Sequence, residues 1–553
     1  MGCKNLQILF ICLVLGVAQI TVGHADEEII QAGVGADFTF FGFSVAVSGD
    51  TFIGGHTSYS GNTGGAHIFR QRASGGAWVL EAAIPSPDPA LKDLFGWSVA
   101  LDGETAVVGA NQDGGKGKDQ GAGIGEGPGF VHVYKRRGTD WPKQTTLKAD
   151  DGAPNDRFGT SVAISGDTVI VGSPKSDLEA EGEDAGAVYV FVRKGDIWKQ
   201  QTKLTSSDGA EKDQFGNALS LEGDVAIISA FSDDDAGSKS GAAYIFVRNG
   251  ETWTEEAKLT ASDADGGDQF GISVDISLGL TASAIIGAHF DDDAGSKSGS
   301  AYIFKRNPDG TWGEQIKLTA SDADKGDRFG YAVAIDVNRV VVGAPWADQP
   351  KQDFSGAIYS FLRVGSDWVE QKKEEAKNVT RNEVDVLTKG DNFGSAIDIS
   401  NKGSVVIVGS PWDNGQNGGA QDEGSVYIYD TSQGDLGIAL AVEASSSLVT
   451  TTLGQIKRSA LLQNFPNPFN PETWMPYVLA DDAPVTIGIY DVQGQLVHQL
   501  TLGGQPSGSY INRENAAYWD GKDQFGEPVS SGVYFYTLHA GTFQATRRMV
   551  ILK

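Results

Sequence analysis

The chain has 553 residues, 40% of them hydrophobic, and a formal net charge of −29. That length holds two or more domains. The charge excludes a nucleic-acid backbone as partner, because affinity there comes from basic side chains, and 73 glycines without a G-X-Y period exclude collagen.

The first element is a secretory signal peptide over residues 1–25. An apolar run, residues 5–20, follows Lys4, and Gly23-His24-Ala25 offers small residues before a cut at Asp26. The run is short for a bilayer span, and no second stretch of membrane length follows, so the mature chain has no transmembrane segment. Cys3 and Cys12 both lie in the removed piece, which leaves neither disulfides nor thiolate chemistry.

A repeat follows. Phe-Gly recurs at Phe41, Phe95, Phe158, Phe215, Phe270, Phe329 and Phe393, each followed by glycine. A period of this size filled with short strands indicates radial or stacked repeats. In the third unit, Ser161–Ile164 alternates as a strand, Ser165-Gly166-Asp167 turns, and Thr168–Pro174 forms a buried strand. A polar loop then leads to a third strand over Gly186–Arg193 and a more polar fourth over Trp198–Leu204. Four antiparallel strands with an apolar inner set describe a propeller blade. Tryptophans opening the fourth strand (Trp78, Trp141, Trp198, Trp253, Trp312 and Trp368) repeat with the fold and are expected to pack blades. Residues 26–435 are therefore predicted to form a seven-bladed β-propeller. Two stretches compete to supply its closing outer strand: Glu28–Ala32, which precedes the first Phe-Gly as KLTA precedes later ones, and Leu436–Val442. The first would join the two ends of the ring and remove open edges.

These residues resemble FG-GAP repeats, the units of the integrin alpha-chain propeller and of many secreted bacterial proteins. Val342-Gly-Ala-Pro345, Val171-Gly-Ser-Pro174 and Val408-Gly-Ser-Pro411 carry the GAP element, and Ile53-Gly-Gly-His56 and Ile286-Gly-Ala288 are variants. The resemblance implies adhesion, ligand recognition or scaffolding. It also implies calcium in a D-x-D-x-D-G loop between the first and second strands. Here that turn is only Ser48-Gly-Asp50 or its equivalents, too few oxygens for a shell of six to eight. Carboxylates gather instead before the Phe-Gly pairs and in the loops between strands two and three. The candidate calcium ligands are Asp233, Asp235, Asp291 and Asp293. The alternative is that such aspartates cap turns and keep the protein soluble. The aspartates two places before Phe (Asp93, Asp156, Asp213, Asp268, Asp327 and Asp391) repeat too regularly to mark one special site and read as turn caps.

No HExxH, G-x-S-x-G elbow or Walker loop occurs, and no organic cofactor is expected. His56 and His289 are placed at the Pro position of the GAP element, and His67 and His132 at matching places in third strands. The reading is a non-enzymatic protein. Its alternative is a secreted glycoside hydrolase or lyase acting on an extracellular polymer, which two acids at the right separation would permit.

Residues 436–460 read as a linker. From 461 to 553 a new pattern appears: Asn464-Phe-Pro-Asn-Pro-Phe-Asn-Pro471, Pro484–Tyr490, Trp519-Asp-Gly521 and Ser531-Gly-Val-Tyr-Phe-Tyr536. It predicts a small immunoglobulin-like β-sandwich. It resembles the FlgD-like immunoglobulin-type domain and C-terminal sorting domains of bacterial exported proteins, which implies contact with secretion machinery. The whole is expected to be an all-β, monomeric protein, secreted or on the outer cell surface, with an extracellular protein or glycan as partner.

Overall fold

The structure, a computed structural model, describes residues 20–22, 27–31, 40–57, 64–71, 77–87, 94–112, 127–279, 281–347, 355–364, 367–375, 390–400, 405–413, 424–431, 460–461, 472–479, 482–493, 495–506, 508–510, 516–541 and 543–551. These fall into two compact units, the propeller and the C-terminal sandwich.

The propeller has seven antiparallel sheets, one per Phe-Gly unit. In the third, Ser161–Ser165, Thr168–Ser173, Ala187–Lys194 and Ile197–Leu204 lie in simple up-and-down order. The second strand is buried along its whole length and the fourth is for the most part only partly buried, as befits a sheet wedged between two neighbours with a wet outer edge. The innermost strands are Ser44–Ser48, Phe95–Asp102, Ser161–Ser165, Leu219–Glu222, Ser273–Ser277, Ala332–Asp336 and Ala396–Ile399. Each neighbours the next, and the seventh returns to the first. The ring is closed.

Closure uses the first of the two competing stretches. Glu27–Gln31 pairs antiparallel with Ser425–Asp430, the third strand of blade seven, with Glu27 opposite Tyr429 and Gln31 opposite Ser425. Ile20–Val22, inside the expected signal peptide, adds a further strand against it. The rival stretch 436–442 lies outside the described residues.

The apolar core is distributed over the seven seams between blades. Each seam buries one cluster drawn from two adjacent sheets. Between blades four and five it joins Ile227, Ile245 and Leu259 to Phe270, Val274, Ile286 and Tyr302. Between blades seven and one it joins Ile407 and Ile428 to Phe41, Phe52 and Trp78. All seven Phe side chains of the Phe-Gly pairs are fully buried, and Phe270 meets Tyr302 and Phe304 edge-on at 5.4 and 6.0 Å. The following glycine is required twice over. Its φ is positive in every unit, +95° at Gly271, and a Cβ there would sit 2.8 Å from the Ala242 carbonyl oxygen of the preceding blade. The residue before each Phe is also left-handed, at φ 53° to 58° (Phe40, Leu94, Arg157, Gln214, Gln269, Arg328 and Asn392). None is glycine, so the sharp entry into each blade carries modest backbone strain that the buried Phe holds in place.

The tryptophans pack blades as expected. Trp141, Trp198, Trp253 and Trp312 donate their indole N–H to Glu81, Gln144, Gln201 and Glu256 on the fourth strand of the preceding blade, at 2.9, 2.9, 3.3 and 2.9 Å.

In the C-terminal unit, Leu496–Gln505, Ala483–Tyr490, Gly532–Ala540 and Phe543–Ile551 form one antiparallel sheet in that order. Val485, Ile487 and Ile489 point inward at period two and pack with Met475, Tyr477, Trp519, Tyr536, Leu538 and Met549. Shorter strands complete the sandwich, among them Ala460–Leu461, which pairs with Tyr477 and Val478. No helix among the described residues is long and apolar enough to cross a membrane.

Candidate functional site: the loop face and the axial cavity

Two regions concentrate polar chemistry. The first is the face where the Phe-Gly entries and the loops between strands two and three emerge. The two loop sets interlock from blade to blade. The N–H groups of Phe215, Phe270 and Phe329 donate to the carbonyls of Ala185, Ser240 and Ser298 in the preceding blade at 2.9, 2.9 and 2.8 Å. They share one face, as the strand order requires.

Four of the six repeated aspartates before Phe are turn caps. Asp156, Asp213, Asp268 and Asp327 accept from the backbone N–H three residues earlier at 2.7–2.9 Å. Burial outweighs those bonds and pushes the Asp156 and Asp213 carboxyls up to about 6. Asp391 is buried, and Asp93 lies outside the described residues.

The four candidate metal ligands fall in two separate clusters, one per blade. In blade four, Asp233 and Asp235 meet Asp208, and the Lys258 ammonium donates to all three at 2.9, 2.7 and 2.8 Å. The Tyr244 hydroxyl stands 2.8 Å from Asp208 and 2.9 Å from Asp233, its one proton shared between the two carboxylates. In blade five, Asp291 and Asp293 meet Asp263 around Lys317 at 2.7, 2.7 and 2.8 Å, with the Tyr302 hydroxyl placed likewise between Asp263 and Asp291. One oxygen from each of Asp263, Asp291 and Asp293 lies within 4.8 Å of the others, an arrangement that could hold a divalent cation. Burial acts to lower the Lys258 and Lys317 pKa values, but the surrounding carboxylates more than reverse it and hold both ammoniums well above their ordinary range. Asp234 and Asp292 stay exposed.

Blades three and six show the same plan with fewer acids. Lys203 bonds Asp151, and Lys373 bonds Asp322, each at 2.8 Å. All four lysines lie over a third-strand tyrosine ring at 5.3–5.7 Å. In blades one and two that tyrosine position holds His67 and His132, as the strand registers show. Register corrects one expectation. Gly55 faces Ser44 as Gly172 faces Ser161, so His56 aligns with Ser173 and only His289 stands at the proline position. His56 stacks on His67 with centroids 5.1 Å apart. Burial, then the neighbouring His67, lowers the His56 pKa to about 3, and burial lowers that of His67 to about 4.

The second region is the ring's axial cavity, about 370 Å³, walled by all seven inner strands. Among the described residues its lining contains Asp102, Glu222, Asp275, Asp336 and Asp398 and no lysine or arginine. Asp102 and Glu222, with Ser48, Ser165 and Ser277, accept from a turn N–H of the next blade and so link neighbours. Asp275 and Asp398 were not singled out by the sequence reading. They occupy a position that is Ala46, Ala100, Ala163 or Ala334 in four other blades and Ser220 in blade four, and the acid there is the signal that marks them. Asp398 accepts from Val47 N–H across the closing seam at 2.7 Å and from Ile399 N–H at 2.9 Å. Asp275 accepts from Ser220, Ile276 and Ile335 at 2.7, 2.9 and 2.8 Å. Burial raises Asp275 to about 6. Burial, against the Val47 bond and assisted by the Asp275 charge, raises Asp398 to about 8. Two protonatable carboxyls therefore face one cavity near neutral pH.

The FG-GAP repeat family model matches residues 78–123, 141–191, 198–246, 253–304, 312–361 and 387–429. The FlgD Ig-like domain model matches residues 471–543. No curated protein matches the chain. Solved structures that match include a candidate 6-phosphogluconolactonase from Bacteroides uniformis, at 13% identity and TM-score 0.38, covering 61% of this chain and 84% of that one. One from Bacteroides fragilis has 10% identity and TM-score 0.38, covering 61% and 83%. PorZ, an essential bacterial surface component of the type-IX secretion system of Porphyromonas gingivalis, has 12% identity and TM-score 0.25, covering 98% and 86%. At these scores the resemblances carry no argument about activity.

Proposed function

We infer that this chain, which belongs to the FG-GAP repeat family, is an exported or cell-surface binding protein. It acts as an adhesin or scaffold that recognises an extracellular protein or glycan through the loop face of its propeller. The supporting observation is the division of labour in the ring. Strands, seams and caps repeat from blade to blade, while loop length and composition vary on one face, and such loops on a rigid scaffold are where recognition resides. The FlgD-like domain at the C-terminus suits sorting or surface attachment through residues 461–553, with residues 1–25 removed on export. A calcium-assisted form of this reading, with Asp233, Asp235, Asp291 and Asp293 as ligands, would require the ion to displace the Lys258 and Lys317 ammoniums from those carboxylates.

The test is saturable binding of purified residues 26–553 to extracellular proteins and to glycan arrays, with Asp234→Lys and Asp292→Lys as a charge-reversed loop face. Saturable binding changed by that pair supports the reading. Absence of binding to both ligand classes would sink it. A second reading, a secreted hydrolase or lyase, is favoured by Asp275 and Asp398, because raised carboxyls in a cavity are a feature of acid–base sites. Turnover of a polymer lost in Asp275→Asn would select it.

A further inference from the structure

We propose that Lys258 and Lys317 are built-in cations, each taking the place among three carboxylates that a divalent ion would otherwise hold, so that the acidic rim of blades four and five keeps its shape without calcium. The inference stands whether or not the loop face binds a partner.

Stoichiometry and geometry carry it. A lysine ammonium has three N–H donors and no acceptor. Each of these two ammoniums spends all three on different carboxylates, at 2.7–2.9 Å. Asp233 and Asp291 are buried, with side chains 3% exposed, and a buried carboxylate needs a partner. The lysine stem rests on a tyrosine ring, and the tyrosine hydroxyl fills a further lone pair on the same aspartate. A calcium ion would need six to eight oxygens at 2.3–2.6 Å and would have to expel the ammonium to reach them. Sites in blades three and six, with the same lysine and tyrosine but no triple-aspartate loop, show that the ammonium belongs to the blade plan. Blades four and five surround the same ammonium with additional aspartates. Those aspartates are thus read as ligands of a cation, but one supplied by the chain.

The experiment titrates calcium, and terbium as its luminescent substitute, into residues 26–553 and into Lys258→Met/Lys317→Met. Tyr244 and Tyr302 stand beside the clusters and would sensitise terbium emission. The wild-type protein is expected to show no saturable calcium binding through the millimolar range used by extracellular calcium modules, roughly 10⁻⁴–10⁻³ M, and no change in Tm on adding chelator or calcium. The double variant is expected to melt lower and to regain Tm with calcium, with terbium emission lost in Tyr302→Phe and Tyr244→Phe backgrounds. Saturable wild-type binding abolished by Asp291→Asn would overturn the proposal. So would a folded double variant that gains no ion. Should the double variant fail to fold, the wild-type titration and chelator melt decide alone.

Discussion

Asp398 bridges the seam that closes the ring, and its replacement by asparagine gives a test with a sign that depends on pH. The carboxyl is raised from an ordinary 3.8 to about 8, first by burial and then by the charge of Asp275. A group whose folded pKa is raised contributes stability that is fully present below its unfolded pKa and lost as pH rises toward the folded value. The window here runs from about pH 4 to about pH 8. A shift of roughly four pH units at about 1.4 kcal/mol each puts the cost of ionising Asp398 in the folded seam on the order of 5 kcal/mol by pH 8. Asparagine removes that titration. It also replaces one acceptor with an N–H donor, so one of the amides of Val47 and Ile399 loses its partner, at about 1–3 kcal/mol. Asp398→Asn should therefore be the less stable protein at pH 4–5 and the more stable one at pH 8, and the two stability curves should cross. Urea unfolding at half-unit steps of pH, followed by tryptophan fluorescence, measures it. Parallel curves, with the variant less stable by the same amount at every pH, would refute the placement of a neutral carboxyl in the seam.

Gly271→Ala should lose at least about 1 kcal/mol from its left-handed φ alone, and more because a Cβ would stand 2.8 Å from the Ala242 carbonyl oxygen; a Tm within error of wild type contradicts the seam geometry. His56 and His67 have folded pKa values lowered to about 3 and about 4, so the unfolded chain binds more protons and stability falls as pH drops below 6.5. The slope approaches about 1.4 kcal/mol per pH unit for each histidine, and His56→Ser/His67→Tyr, which installs the blade-three residues, should flatten that acid limb in a melt series. Deleting residues 27–31 exposes the third strand of blade seven as an open edge. A loss of a few kcal/mol, at about 0.5–1.5 kcal/mol per strand hydrogen bond, and edge-to-edge oligomers are expected in light scattering, whereas an unchanged monomer would contradict closure by this strand.

The ring was legible because each Phe-Gly pair answers two demands that few residues meet: a large apolar side chain for the seam and a backbone that turns left-handed against the previous blade. Closure by the N-terminal strand was legible for a related reason, since residues 28–32 stand where later blades show a fourth strand before their Phe-Gly. The lysine partners were not. Lys258 and Lys317 sit on outer strands whose alternation reads as an ordinary solvated edge, and blade topology, not sequence proximity, carries them to Asp233 and Asp291. The consecutive glycines Gly54 and Gly55 concealed the register of blade one and shifted His56 by a position. Asp275 and Asp398 carried no signal of the cavity on their own, because polar residues in alternating strands do not distinguish bulk water from an axial cavity.

The strand that completes blade seven is made before any of blade one, so the earliest part of the propeller waits for its seat until the last blade arrives. Such a ring cannot be finished from one end while the other is still being synthesised, and its final step is a long-range encounter of the kind that folds slowly. If residues 1–25 are cut away, the closing segment becomes a free terminus, and maturation and ring closure become consecutive acts at one spot on the chain. A product truncated before residue 425 would lack the seat for that segment, so the same joint that seals the intact molecule also leaves an incomplete one with an unmated strand for quality-control proteases to find.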